Sequence, residues 1–515
     1  MTREETVTQT IKENQVLFTK AVNNLKKINS FEKRLKLANI ALQYVWLNPS
    51  CYYSSSSLEK VYVEYSNRIE SDVDEVYSEN TCLIVLTTPY KLGGHTRVVE
   101  RWIESDLNCK YSVLISDMTN GYISDRLKND VEESGGKIFI LNKEDSLEIK
   151  AKKMRKVASS FECVLLFVHM DDPLPIVAFA NKSFHRPVGF YNHADHLFGI
   201  GYSVVDSLIE MRDWGKKISE NYRGVFSSHT IAVPSEHKSP SFGKEQARKI
   251  LSIPEKSKII VSVGTEFKFY PNEHVNLNSV IDAILSQNPD YYYYVIGVIN
   301  GKIPSWNYLT EKYGDRFRLL PPMPHDELIE YLVASDLLID SLPVSGMTTM
   351  QDAVMCEVPI LTTISRVDWI KEGCGYCKDL DELILTSLRC LSDDNMRIRL
   401  LEQTKTSLIG MTGMKAFASK VQNYMNELKT LTHCVHDFNE SPTSLIDADK
   451  RIYGMFAHSP KSIKAKRFLH YYVEYSHSLA KFMCSSYVLI DDAVNELRKK
   501  IALRTRLKRF LNRNN

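Results

Sequence analysis

From Thr81 onward the chain alternates, twice over, between short apolar runs and polar helical stretches, and that alternation limits the fold more than any other feature. TCLIVLTTP, YSVLIS, KIFIL, CVLLFVHM, PVGFYNHA and SLIEM form the first series. KIIVSVGT, YYYYVIGV, RFRLLPPM, LLIDSLP and VPILTT form the second. Strands that are apolar throughout, rather than at every other residue, are covered on both faces, and the intervening helices supply the covers. The pattern predicts two α/β units, each a parallel, doubly wound sheet. The Ser/Pro-rich stretch VPSEHKSPSFG at Val233–Gly243 lies between the series and reads as a linker. Such sheets bind ligands beyond the carboxyl ends of their strands, so the chemistry is expected in the cleft between the units.

Residues 1 to 78 carry helical periodicity instead. Leu17, Ala21, Leu25 and Ile28 fall on one face, as do Leu35, Ala38, Leu42 and Val45. After Thr432 the strands stop and the chain again looks helical. The expected domains are therefore 1–78 (helical), 79–235 and 244–431 (Rossmann-like), and 432–515 (a helical tail). A chain of 515 residues is too long for one core, in keeping with that division. The formal charge of +2 argues against a nucleic-acid binder working by bulk electrostatics. Ten cysteines without paired spacing fit reduced thiols. MTREETVTQTIKENQ places charges where a signal peptide needs an apolar core, and the apolar runs fall well short of the ~20 residues of a membrane helix. A cytoplasmic protein is expected.

The most informative segment is LLIDSLPVSGMTTMQDAVMCEVPIL. A strand ends at Asp340, a small-residue loop runs from Pro343 to Gly346, and a helix opens at Thr348–Thr349. A helix start offers unpaired N–H groups and a positive dipole end, which suit a diphosphate. Ser345 belongs to this loop, Gly346 lets the backbone approach, and the threonine hydroxyls add donors. Asp352, about one turn on, can accept from a ribose hydroxyl. The same residues also suit a plain helix cap. GTEFKFYP places Lys268 on a loop after the first strand of the same unit, where it can neutralise a diphosphate leaving group.

Residues 259–363 resemble the catalytic half of the O-linked N-acetylglucosamine transferase family and its bacterial protein-glucosyltransferase relatives. Lys268–Pro271 matches the family's K-x-x-P loop, and Thr348, Thr349 and Asp352 match its T-T-x-x-D helix start after the Asp340–Gly346 loop. Ser365–Val367 fits as well. The resemblance implies the GT-B architecture of two Rossmann-like domains. It also implies a nucleotide-sugar donor with diphosphate on the threonines and ribose on Asp352. Met347 departs from the histidine or asparagine common in the family and leaves the donor sugar open. The residue eight before Asp352 is Val344, so the E-x7-E pattern of retaining enzymes is missing, which favours inversion.

In the first unit, KLGGHTRVVE places Gly93, Gly94, His95 and Arg97 after the first strand as candidate substrate contacts, although a bare Gly-Gly turn serves a ligand-free loop equally well. His193, Asp195 and His196 bunch at the end of PVGFYNHA. Inverting transfer needs a base for the acceptor hydroxyl, and these are the candidates; a polar network fixing the loop is the competing role. No metal ligand set is expected. Asp72–Asp74, Asp379–Asp381 and Asp447–Asp449 have D-x-D form but lie away from strand ends, and Cys374 with Cys377 lacks a second pair. The last stretch, Arg498–Asn515, carries eight Lys/Arg and no Asp/Glu, with Leu503, Leu507, Phe510 and Leu511 among them. It suits a solvated helix end or contact with acidic lipid headgroups.

These features together predict a metal-independent, inverting glycosyltransferase that uses a UDP-sugar. It needs no cofactor and acts on a glycan, lipid-linked glycan or protein in bacterial surface polysaccharide biosynthesis. A UDP-sugar epimerase and a non-catalytic transferase-like subunit share the fold and stay open at this point.

Overall fold

The computed structural model describes residues 3–439 except 72, 74–75, 91–93, 120, 226, 233–239, 255, 272–274, 300, 302, 344 and 364–374, together with 442, 464–466, 469–470 and 473. Gly93, Ser365–Val367, Cys374, Asp447–Asp449 and the basic tail lie outside the described residues.

Strands β1 (Ser78–Leu86), β2 (Lys110–Ile115), β3 (Ile138–Ile140), β4 (Phe161–Phe167), β5 (Val188–Asn192), β6 (Ser207–Glu210) and β7 (Ser228–Thr230) form one sheet, in the order β3-β2-β1-β4-β5-β6-β7. Strands β8 (Lys258–Val263), β9 (Tyr291–Ile296), β10 (Phe317–Leu320), β11 (Leu337–Ile339), β12 (Ile360–Thr363) and β13 (Tyr376–Cys377) form the other, ordered β10-β9-β8-β11-β12-β13. Every neighbouring pair is parallel. In each sheet the winding reverses between the first and fourth strands, β1 beside β4 and β8 beside β11. The loops there splay apart and open a crevice.

Both faces of the first sheet are apolar, and each has its own cover. Leu83, Val85, Val164 and Leu166 point into one core; Cys82, Ile84, Leu86, Cys163 and Leu165 point into the other. Helices α1 (Arg3–Lys27), α2 (Phe31–Leu47) and α3 (Ser56–Arg68) help cover the first of these faces. Expected as a domain of their own, they instead share one continuous core with the sheet, through Phe18, Leu37, Tyr44, Leu58 and Tyr62. The apolar sheet face needs a cover, and these helices supply part of it.

The opposite face is covered by α4 (Gly94–Ser105) and by a helix from much later in the chain, Met414–Leu428. Counted in sequence with the second domain, that helix crosses back to the first. Trp102 stands edge-on to Phe417 and Tyr424, with ring centroids 6.0 and 5.9 Å away, and Tyr424 donates to Ser207 O at 3.1 Å. Among the described residues no helix is long and apolar enough to cross a membrane.

Candidate active site

The second sheet's crevice lies between β8 and β11. The turn after β8, Glu266–Phe269, carries Lys268. The loop after β11 runs from Asp340 to Gly346 and opens the helix Met347–Met355. Lys268 Nζ donates to Ser345 O at 3.1 Å, so its ammonium stands at the mouth of that helix. A Cβ added to Gly346 would lie 3.5 Å from Nζ. Burial lowers the Lys268 pKa, and the Asp340 carboxylate pulls it back up.

Asp340 organises this loop. It is buried, and its Oδ1 accepts from Ser341 N–H at 2.8 Å and Gly346 N–H at 2.9 Å. Its Oδ2 accepts from the Ser345 and Thr362 hydroxyls. The Ser345 hydroxyl thus turns back to the loop's own carboxylate, while its carbonyl faces the lysine. Gly346 caps the helix without a side-chain bond. The threonine hydroxyls, which as a plain cap would close the helix start, are therefore not its cap. Thr348 is exposed and Thr349 half-buried on its first turn.

Asp352 lies within reach of His325, with 3.2 Å between Oδ2 and Nε2. His325 opens the helix His325–Ala334, and donating a hydrogen bond to Asp352 raises its pKa. Arg97, the exposed arginine in the second turn of α4, is close enough to oppose that rise electrostatically. The candidate ribose ligand of one domain and a candidate substrate contact of the other therefore face the same cleft.

In the first domain the crevice lies between β1 and β4, and three histidines converge there from three strand ends. His95 follows β1 in the first turn of α4, which Gly94 opens; His169 follows β4; His193 follows β5. The rings of His95 and His193 are 4.1 Å apart, centroid to centroid, and tilted by 32°. Those of His95 and His169 are 6.5 Å apart, and Tyr90 stacks on His169 at 6.1 Å. Burial pushes the His193 pKa down to about 3 and that of His95 well below its usual 6.5, so both rings are neutral at physiological pH. Among the described residues, His193 Nδ1 and His95 Nε2 are buried with no hydrogen-bond partner. A buried imidazole nitrogen left unpaired is rare and is available to a ligand hydroxyl.

Asp195 does something else. It is fully buried, its carboxylate grips Arg212 through both oxygens, and His196 Nδ1 lies 3.3 Å from Oδ1. That ion pair holds its pKa far below the carboxylate range against the opposing effect of burial. Arg223 donates to Asp195 O and Leu197 O at 2.6 and 2.9 Å. An acidic carboxylate held by a guanidinium is a poor base. Its contacts fix the loop that carries His193, the polar-network role weighed above for this cluster. Asp379 likewise caps the helix Leu380–Ser392, accepting from Glu382 N–H at 2.8 Å.

Two parallel doubly wound sheets, each with a crevice at its winding reversal, are also what solved structures show. A mutant O-GlcNAc transferase from Thermobaculum terrenum is similar with a TM-score of 0.51 and 15% identity, over 82% of this chain and 84% of that one. A glycosyltransferase from Rickettsia africae gives 0.54 and 13%, over 69% and 100%. Anabaena HepE in complex with UDP and glucose gives 0.51 and 11%, over 68% and 100%. The chain has the GT-B fold. No family model and no curated protein matches the sequence.

Within the GT-B frame, residues that sequence reasoning passed over stand beside those it selected. His169 and Tyr90 are separated by 79 positions, and His325 sits 27 before Asp352. No spacing rule connects them. The one signal was position, since each of the three lies in a loop or at a helix start facing a strand's carboxyl end.

Proposed function

We propose that this chain is a glycosyltransferase that moves a sugar from a UDP-linked donor to an acceptor hydroxyl by inverting displacement. The observation that carries it is Lys268 Nζ at 3.1 Å from Ser345 O, at the opening of the Met347–Met355 helix. A diphosphate placed there meets an ammonium, first-turn N–H groups and the hydroxyls of Thr348 and Thr349, while Asp352 accepts from the ribose. These groups stabilise the charge that grows on the departing diphosphate, a task that a divalent cation performs in metal-dependent transferases. HepE, solved with UDP and glucose, supports the choice of donor.

On the facing domain, a neutral imidazole of the His95, His169 and His193 group takes the acceptor proton as the anomeric carbon is attacked from the face opposite the diphosphate. Val344, where retaining enzymes carry a glutamate, supports inversion. The acceptor is a glycan, free or lipid-linked, rather than a protein: the amino-terminal helices are spent on covering the first sheet and resemble no peptide-binding repeat. A cytoplasmic enzyme of bacterial surface polysaccharide synthesis fits this chemistry.

Calorimetry against UDP, GDP and CMP without metal tests the donor site. UDP is expected to bind, and Lys268→Ala to weaken it by roughly 10- to 100-fold, the worth of one charge-assisted hydrogen bond. Binding of no nucleotide sinks the proposal in favour of a non-catalytic partner subunit. Release of an altered free sugar nucleotide without any acceptor identifies an epimerase instead.

A further inference from the structure

Asp206, Cys434 and His436 meet at the amino-terminal ends of β5 and β6, the end of the first sheet opposite the cleft. Asp206 immediately precedes β6, and its carboxylate accepts from the N–H of Val188, the first residue of β5, at 2.8 Å. His193 lies beyond the other end of β5. This group therefore stands a full strand length from the candidate chemistry and takes no part in it.

The three side chains bring a thiol, an imidazole and a carboxylate together, with all donor atoms within 4.8 Å of one another. His436 Nε2 is 3.5 Å from Cys434 Sγ and 3.4 Å from Asp206 Oδ1. A tetrahedral zinc with ordinary bond lengths sets its sulfur and nitrogen ligands about 3.5 Å apart and its nitrogen and oxygen ligands about 3.3 Å apart. Both of these separations match a coordination shell, and the sulfur and the carboxylate oxygen lie within 4.8 Å of each other. Sγ also lies 3.7 Å from Nδ1, so a turn of the partly exposed ring about its outer bond is needed to aim Nε2.

The surroundings are prepared as well. Asp206 Oδ2 faces His433 Nδ1 at 2.8 Å, and His433 Nε2 faces Phe179 O at 3.0 Å, which fixes the carboxylate's orientation. Cys434 N–H donates to Asp206 Oδ1 at 3.0 Å, and His436 N–H to Ser203 O at 2.7 Å, so the backbone holds both ligands in place. Cys434 is exposed, whereas Cys51, Cys82, Cys109, Cys163, Cys356, Cys377 and Cys390 are buried.

We infer that Asp206, Cys434 and His436 bind a divalent cation of the zinc class, with water in the fourth position, and that the ion staples the segment after the Met414–Leu428 helix to the first domain. Binding replaces the S–H bond of Cys434 with a metal–thiolate bond and releases the proton to solvent; no electron is transferred.

The test is elemental analysis of the full-length protein purified without chelators, followed by cobalt(II) titration after the metal is stripped. About one zinc per chain is expected. Cobalt should give a thiolate-to-metal charge-transfer band, and Cys434→Ser and His436→Ala should each lose both signals. Cys434 is exposed, so its serine variant folds, and UDP binding of both variants should match the wild type. A chelator should lower the melting temperature of the wild type and leave that of Cys434→Ser unchanged. Absence of both zinc and the cobalt band overturns the inference, and so does equal uptake by Cys434→Ser, which would place the metal on another cysteine.

Discussion

His193 and His95 are histidines that folding keeps neutral. Burial holds the His193 pKa at about 3 against 6.5 for the free side chain, so between those values the folded state binds fewer protons than the unfolded chain. Stability from this residue is complete above pH 6.5 and is lost progressively as the pH falls through the window. Replacing His193 with glutamine, which cannot titrate, should make the melting temperature fall less between pH 7 and pH 4 than it does in the wild type. Glu59 and Glu210, which burial raises to about 7, act with the opposite sign but are present in both proteins and cancel. Asp195, held low by Arg212, gives up its contribution only below 3.8. Equal acid slopes for variant and wild type would show that His193 is not the buried neutral group described.

The residue scale is also where sequence and structure part most. Thr348, Thr349 and Asp352 could be read together because one loop and one helix start carry them, whereas Lys268 lies 77 positions before Ser345 and was placed only by its position after the first strand of the same unit. The histidine group was half legible. His95 and His193 stood out by their neighbours, whereas His169, two residues beyond the end of β4, did not. Asp195 looked like a candidate base until its partner was visible, and Arg212 is 17 residues away.

At the scale of an element, the Met347–Met355 helix is useful because its first turn is left open. Gly346 has φ of −122°, which any residue adopts, so alanine there brings no backbone strain. Its Cβ would lie 3.2 Å from Ser341 Oγ, which must give slightly, and 3.5 Å from Lys268 Nζ, beside the proposed anion position. Gly346→Ala should therefore weaken UDP binding by about tenfold, or ~1.4 kcal/mol, while moving the melting temperature by no more than about 2 °C. Calorimetry beside a thermal melt separates the two effects. A large loss of stability would mean that the loop, not the ligand, requires glycine.

Long apolar strands were plain in the sequence, but β7 and β13, with three and two residues, were not. So short a run leaves no periodicity, and the strand exists because a neighbour offers its edge. Along β9, alternate rings of Tyr291–Tyr294 take opposite faces, Tyr291 and Tyr293 in one core and Tyr292 and Tyr294 against the other. Tyr291, Tyr293 and Tyr294 are all buried, because β9 lies inside the sheet with cores on both sides.

On the scale of the whole molecule, the Met414–Leu428 helix ties the two halves together. Phe417, Val421, Tyr424, Met425 and Leu428 form one buried face at helical spacing. Truncating Phe417 to alanine should cost about 3–5 kcal/mol, read from urea unfolding followed by tryptophan fluorescence. UDP binding, carried by the other domain, should survive at temperatures where the variant is still folded. Retention of full stability would mean that the helix merely rests on Trp102.

The sequence alone determined the repeated strand–helix alternation, because burial on both faces demands unbroken apolar strands, and it determined the strand–loop–helix passage from Leu337 to Met355, because its parts are consecutive. The tertiary structure alone decided where the flanking helices go. An amphipathic helix records that it must cover something, not what, and α1–α3 and Met414–Leu428 each found a face of the same sheet. It also decided the partners of charged and titratable groups, since pairing depends on distance in space and burial, neither of which spacing along the chain encodes.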